Sequence, residues 1–466
     1  MLNSMRAVQR TIASIRSRIA ASSKRPLIVF ALSFAVLEIV EAHFRRYAIG
    51  GVYFQRWTSE VLMQSVSLRE LDAAPFQSLW YLHIQPPMTN LVRALIVAFH
   101  HEATWAEVIR GVDSDLYRAW ALAGAALGAL VDAWLRRLRV PGVLAALLTL
   151  GWLLHPPNLA YVTLLDGTLP SSLVTTWILY ELWRLCNATD RPLGRLSDAV
   201  LLGYFTRSVF QWPFVLVMLA SLYLLRVSRR RLLAFGLVAG LAVGLYSIKQ
   251  FVLFGTVSTS TFQGLNLTNS IGANCATQLP VHATQRVLPA VPVLTERFKL
   301  DGSVNFNHVE QLDIDRGLMS CFRHNLAQRT LTSLWRTYAE NFEIFNRPSS
   351  RYQENAIVDR LPWRDLLDWL FSGRRLILMT LVAGALSIWQ SRRRWRATLG
   401  LLLPALYVFV ACVLGERGEN MRFKFFLEPS LYVLVATQGY RAASHALARA
   451  KAIATRGRQR QQPLEQ

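Results

Sequence analysis

The stretch Trp57 to Asn90, WTSEVLMQSVSLRELDAAPFQSLWYLHIQPPMTN, decides how the chain is read. It follows the first long apolar run, Pro26 to Phe44, yet holds Glu60, Glu70, Asp72 and His83 and ends in the stiff tripeptide Gln85-Pro86-Pro87. Ionisable groups at a membrane face are costly and tend to mark function. Taken alone, the stretch also fits a solvated loop with a Pro-Pro stop before the next helix. Its company in the chain favours a site.

A chain of 466 residues that is 53% apolar is too hydrophobic for an ordinary soluble enzyme, which places it among multi-spanning membrane proteins. The net charge of +22 does not point to nucleic acid, because the arginines fall in short runs between apolar segments and form no single stripe. Basic clusters that alternate with spans set topology. No secretory signal is expected, since the first apolar run lies behind basic residues and lacks a small-residue cleavage site.

The expected fold is an all-α polytopic bundle of about ten transmembrane helices with one large extracytoplasmic insert. Residues 1–25 form a cytoplasmic basic arm, and residues 26–254 an N-terminal transmembrane module with its first outer loop at 45–100. Residues 255–374 form the insert, 375–440 the last transmembrane helices and 441–466 a cytoplasmic basic tail. Pro86 to His100, short and carrying Arg93, reads as a juxtamembrane or re-entrant helix. The remaining spans are expected at Ala119 to Leu135, Val140 to Leu154, Leu169 to Leu185, Leu196 to Thr206 with Pro213 to Leu225, Leu232 to Phe254, Leu376 to Trp389, Leu399 to Leu414 and Phe423 to Ala436. On this topology Arg136, Arg137, Arg184, Arg191, Arg229 to Arg231 and Arg392 to Arg394 share the inner side. Both termini are then inside. Cys275 and Cys321 both fall in the insert, where an oxidising compartment would allow a disulfide.

Three polar groups meet at the outer face: the Glu60 to Pro87 loop, the turn from His155 to Asp166, and GERGENMRFKFFLEP from Gly415 to Pro429. Converging polar residues at one end of a bundle make a pocket at the membrane boundary. In the third group, Glu416, Arg417, Glu419, Arg422 and Lys424 either neutralise one another or offer Arg422 and Lys424 to an anionic head group, for which a guanidinium has suitable geometry. Arg207 either snorkels to the interface or binds phosphate, and Lys249 is a further cation in apolar surroundings. Asp166 in LLDGTLP reads as a helix cap before it reads as a catalyst. The Asn187-Ala188-Thr189 sequon falls on the inner side. No HExxH, paired CxxC, Walker loop or GxSxG occurs, so zinc hydrolysis, nucleotide-driven transport and serine chemistry lack a motif.

An early acid in an outer loop followed by His83-Ile84-Gln85-Pro86-Pro87 at the start of a short helix resembles the H-x-P-P segment of the bacterial dolichyl-phosphate-mannose protein mannosyltransferase family, to which the lipid A aminoarabinose transferase is related. The likeness covers the span rhythm of the first 250 residues or so and the Asn420-Met421-Arg422-Phe423 region. It implies a GT-C fold glycosyltransferase that uses a polyprenyl-phosphate sugar as donor and a glycan, lipid or protein as acceptor, with the active site on the extracytoplasmic face of the inner or plasma membrane. It also implies a first-loop general base. The family's Asp-Glu pair is absent here, and Ser59-Glu60 stands nearest to it, with Glu70 and Asp72 as alternatives. His83 matches the family's histidine before the prolines, and Arg422 an arginine near donor phosphate. Lys424 and Arg207 join Arg422 as phosphate ligands, while Gln85, Pro86, Pro87, Asp166 and Glu419 shape the pocket.

The residue types suit this chemistry without the likeness, because sugar transfer from a lipid phosphate needs a base for the acceptor hydroxyl and cations for the departing phosphate. No cofactor is required; a divalent metal is optional and no residue pattern supports one. The competing readings are a lipid-linked glycan flippase and a non-catalytic assembly subunit.

Overall fold

The computed structural model describes residues 25–47, 58–187, 191–273, 275, 297–352, 361–370, 373–390 and 395–460. The basic arm before residue 25, Trp57, Thr189 of the sequon, the turn at Arg392 to Arg394 and the last residues of the tail lie outside them. Every regular element among the described residues is helical, apart from one antiparallel bridge between Phe298 and Val304.

Helix α1 (Arg25–Tyr47) is followed by three short helices, α2 (Leu68–Ala73), α3 (Pro75–Trp80) and α4 (Met88–Val97). Next comes the long α5 (Trp105–Arg137), which begins where Thr104 accepts a hydrogen bond from the Glu107 amide and donates to its carboxylate at 2.9 Å. Thr104 is thus a side-chain N-cap, with Glu107 holding its hydroxyl in place. Helices α6 (Gly142–Leu153) and α7 (Pro156–Thr163) meet at a 55° bend. Pro156 and Pro157 cause it, since neither can donate to the preceding turn and each drives the residue before it out of helical geometry.

The chain continues through α8 (Thr168–Asn187), α9 (Gly194–Thr206), α10 (Trp212–Leu224) and α11 (Arg229–Phe254). The 255–374 stretch carries α12 (Gln263–Ser270), α13 (Glu310–Gln328), α14 (Leu331–Phe345) and α15 (Arg364–Leu370). The last four helices are α16 (Gly373–Gln390), α17 (Trp395–Gly415), α18 (Asn420–Lys424) and α19 (Glu428–Arg460).

Three of these helices are long and apolar enough to cross a membrane, α1 over Arg25–His43, α11 and α17, and the bent α6–α7 pair would make a fourth. The expectation of about ten spans goes further than this. Helices α4 and α10 are apolar but have only 10 and 13 residues, about 15 and 20 Å of helix against a hydrocarbon core of about 30 Å. The span expected over Phe423 to Ala436 is broken: α18 ends at Lys424, a turn covers Phe425 to Leu427, and α19 starts at Glu428. Pro429 falls in the first turn of α19, where its missing N–H costs nothing.

The main core joins α1, α5, α8 and the α9–α10 region with α17. Close approach of α5 depends on glycine: a methyl group at Gly128 would lie 2.9 Å from Leu153 and 3.0 Å from Ser33 of α1. Small residues serve this purpose wherever apolar helices must touch. On α11, Leu233, Leu237, Leu241 and Leu245 form an outward row, each at least 60% exposed. A second, smaller core of Val66, Leu68, Leu71, Leu82 and Ile84 packs the first loop onto Val108 and Val112 of α5.

Candidate functional site

The first loop is stitched down by its own charges. The Glu60 carboxylate is fully buried and receives Arg93 at 2.8 Å, the Ser67 hydroxyl at 2.9 Å and the Leu68 amide at 3.1 Å. Arg93 also donates to the Ser59 hydroxyl and the Val66 carbonyl. Lys299, from the far side of the insert, donates to the carbonyls of Glu60 and Leu62 and to Ser65. All acceptor positions that a base would need are thereby taken. Glu60, expected as the general base, is held here as an anchor for the loop and does not line the cavity described below.

His83 is likewise internal. Its ring bonds Thr261 at 3.1 Å and the Asn307 carbonyl at 2.9 Å. Burial lowers its pKa to about 3, which makes it a poor proton acceptor. Glu70 accepts from Asn305 at 3.2 Å, and Asp72 is exposed and off the cavity. Pro87 caps α4, whereas Gln85 and Pro86 reach the cavity wall. Lys424 is engaged by the Arg347 carbonyl at 2.6 Å and by Glu428 at 3.6 Å and does not line the cavity described below.

What the fold does assemble is a cavity of about 760 Å³ between the first loop, the α8 start, the α9–α10 break, α12 and the α17–α18 turn. Its charged lining is Asp166, Arg207, Glu416, Arg417, Glu419 and Arg422. All three polar groups singled out in the sequence thus contribute here, the first loop through Gln64, Gln85 and Pro86 and not through its acids or His83, with Arg207 beside them.

Asp166 caps α8: its carboxylate accepts from the Thr168 amide and hydroxyl, both at 2.8 Å. It also pairs with Arg422 at 3.2 Å, across 256 residues of chain. The Arg422 guanidinium reaches Glu419 as well, donates to the Tyr352 hydroxyl at 2.9 Å, and lies over the Tyr352 ring at 4.6 Å. Asparagines hold this corner. Asn341 of α14 donates to the Ser270 carbonyl at 2.8 Å and accepts on its own carbonyl from Asn420 at 2.6 Å.

Arg207 sits where α9 stops, in extended geometry, only 5% exposed. It donates to the Gln64 side-chain carbonyl and lies 5.4 Å over the Phe423 ring. Among the described residues no carboxylate stands within ion-pair distance of it. Glu416 is buried too, and burial followed by repulsion from Glu419 raises its pKa to about 7. Opposed groups of this kind, a cation short of an anion and an acid that holds its proton to neutrality, are a frequent mark of functional sites.

Residues of this cavity that sequence reasoning missed are Gln64, Tyr352 and the amides of α12. None carries a pattern, because the insert gives no spacing that would tie it to the first loop. Glu416 stood in plain view beside Glu419, and only its burial distinguishes it. No group of His, Cys, Asp and Glu able to hold a metal occurs among the described residues. No protein-family model, curated protein or solved structure matches the chain.

Proposed function

We propose that the chain is an integral-membrane glycosyltransferase that moves a sugar from a polyprenyl-phosphate donor to an extracytoplasmic glycan, lipid or protein. The finer architecture goes with this proposal: a GT-C-like bundle of about ten spans, counting the shorter and bent helices, with both termini cytoplasmic and the site on the outer face. The observation that carries it is Arg207, a buried guanidinium on the cavity wall with no carboxylate among the described residues within ion-pair reach. An unpaired buried charge costs several kcal/mol, and a phosphate would supply the missing anion in a shape that guanidinium matches. Arg422, already compensated by Asp166 and Glu419, would sit on the other side of that phosphate.

In the reaction the acceptor oxygen attacks the sugar's anomeric carbon and the carbon–oxygen bond to phosphate breaks. The phosphate leaves on its lipid with its negative charge facing Arg207. Glu416 takes the proton of the acceptor hydroxyl in place of the first-loop acid, since a carboxylate that titrates near 7 is matched to that task. The disulfide between Cys275 and Cys321 fits an oxidising outer compartment. The test is purified protein in lipid nanodiscs with fluorescent polyprenyl-phosphate hexose. Acceptor-dependent release of the sugar, abolished by Glu416→Gln, supports the proposal, and a donor that stays intact across a panel of acceptors sinks it.

A further inference from the structure

One stretch of the cavity wall is lined by amides. Helix α12 contributes Gln263, Asn266 and Asn269, and the first loop contributes Gln85. Positions three apart fall on one helical face, and the other face of α12 is fixed against α13. There the Gly264 amide donates to Asp315 at 2.6 Å, Thr268 donates to the Leu318 carbonyl at 3.3 Å, and a methyl group at Gly264 would lie 2.5 Å from the Asp315 carbonyl. The Cys275–Cys321 disulfide ties the end of this segment to α13 as well. With its back held in this way, α12 turns its amide stripe towards the cavity.

Gln85 is the independent sign that something polar belongs here. It is 5% exposed and lines the cavity, and among the described residues its side chain makes no hydrogen bond. Its amide atoms are not sealed from solvent, so they open onto the cavity as free donors and acceptor.

We propose that Gln85 and the α12 stripe bind a neutral, hydroxyl-rich saccharide unit. The inference rests on the glycosyltransferase reading for its placement beside a phosphate site. A primary amide presents two donors and an acceptor, which suits neighbouring hydroxyls that each give and take a hydrogen bond. None of these four side chains carries a charge that would favour a carboxylate or an ammonium over a hydroxyl. The saccharide is either the sugar carried by the donor or a unit of a glycan acceptor.

The experiment compares three probes on purified full-length protein in nanodiscs: a short-chain polyprenyl phosphate, the same lipid phosphate carrying a neutral hexose, and a free neutral oligosaccharide. The variants are Asn266→Leu and Gln263→Leu, at partly exposed and exposed positions, with Gln85→Leu as a third. Binding of the bare lipid phosphate should stay unchanged in all three, which also reports that they fold. If the hexose adds affinity and Asn266→Leu removes it by about tenfold, the worth of one or two hydrogen bonds, the unit is the donor sugar. If only the free oligosaccharide binds and loses affinity similarly, the unit belongs to the acceptor. Variants that bind every saccharide probe like the parent chain overturn the inference while leaving the phosphate site in place, and so does binding of an unglycosylated peptide in preference to either saccharide. Failure of the bare lipid phosphate to bind the parent chain removes the glycosyltransferase reading and this one with it.

Discussion

A guanidinium is a flat fork of donors, and Arg422 spreads that fork over Asp166, Glu419 and Tyr352. Lysine keeps the charge and cannot span all three. Arg422→Lys is therefore expected to cost about 1–3 kcal/mol of stability, seen as a lower thermal midpoint. Arg207→Gln should do the reverse. It removes a buried cation whose described partners are an amide and an aromatic ring, so the midpoint should hold or rise while half-saturation by lipid-phosphate donor moves up at least about tenfold. Equal losses of midpoint in both variants would make Arg207 structural. Glu416 adds a pH signature. Unfolded, it titrates near 4.5, and folded near 7, so the folded state holds the proton more tightly. The stability this brings is complete below pH 4.5 and lost as pH rises through 7, an effect on the order of 3 kcal/mol. Relative to Glu416→Gln, the parent chain should lose midpoint between pH 5 and pH 8; parallel profiles would refute the assignment. If Glu416 is the base, the rate should rise over the same interval.

The first loop shows how far an element can be read from sequence. That Glu60 and Arg93 were out of place in their surroundings was legible, because charges beside apolar runs need a reason. Their mutual pairing across 33 positions was not, since nothing in sequence separates an acid that waits for substrate from one that holds a fold together. The same ambiguity attached to Arg422 and Glu419, three residues apart, which the fold pairs with one another. Glu60→Gln is now expected to destabilise the loop by about 3–5 kcal/mol, the cost of leaving a buried Arg93 uncompensated. Glu60→Leu combined with Arg93→Met should recover much of that, because an apolar pair of similar volume avoids the desolvation cost. Hydrogen exchange of the 58–74 amides checks both. Normal protection in Glu60→Gln would return Glu60 to candidacy as a base.

At the scale of the molecule, hydropathy and basic runs were enough to reach a helical membrane protein, and α1, α11 and α17 lie where the apolar runs are. The 255–374 stretch was opaque because none of its helices is apolar enough to read as a span and no spacing ties it to the first loop, yet α12 supplies a cavity wall. The pairing of Cys275 with Cys321 encloses a separation of 46 residues, for which loop-closure entropy gives about 4 kcal/mol. Reduction should accordingly loosen α12 and α13 ahead of the bundle, visible as selective deuterium uptake at residues 263–273. Uniform uptake across the chain would show that the disulfide does not define a local unit. The row of leucines along α11 has a consequence for any such measurement. A stripe that already faces outward gains nothing by meeting acyl chains twice, so no part of its grease binds α11 to its neighbours. Whatever surfactant surrounds it becomes a component of the folded state, and a midpoint recorded in a short-chain micelle partly reports how well that micelle imitates a bilayer.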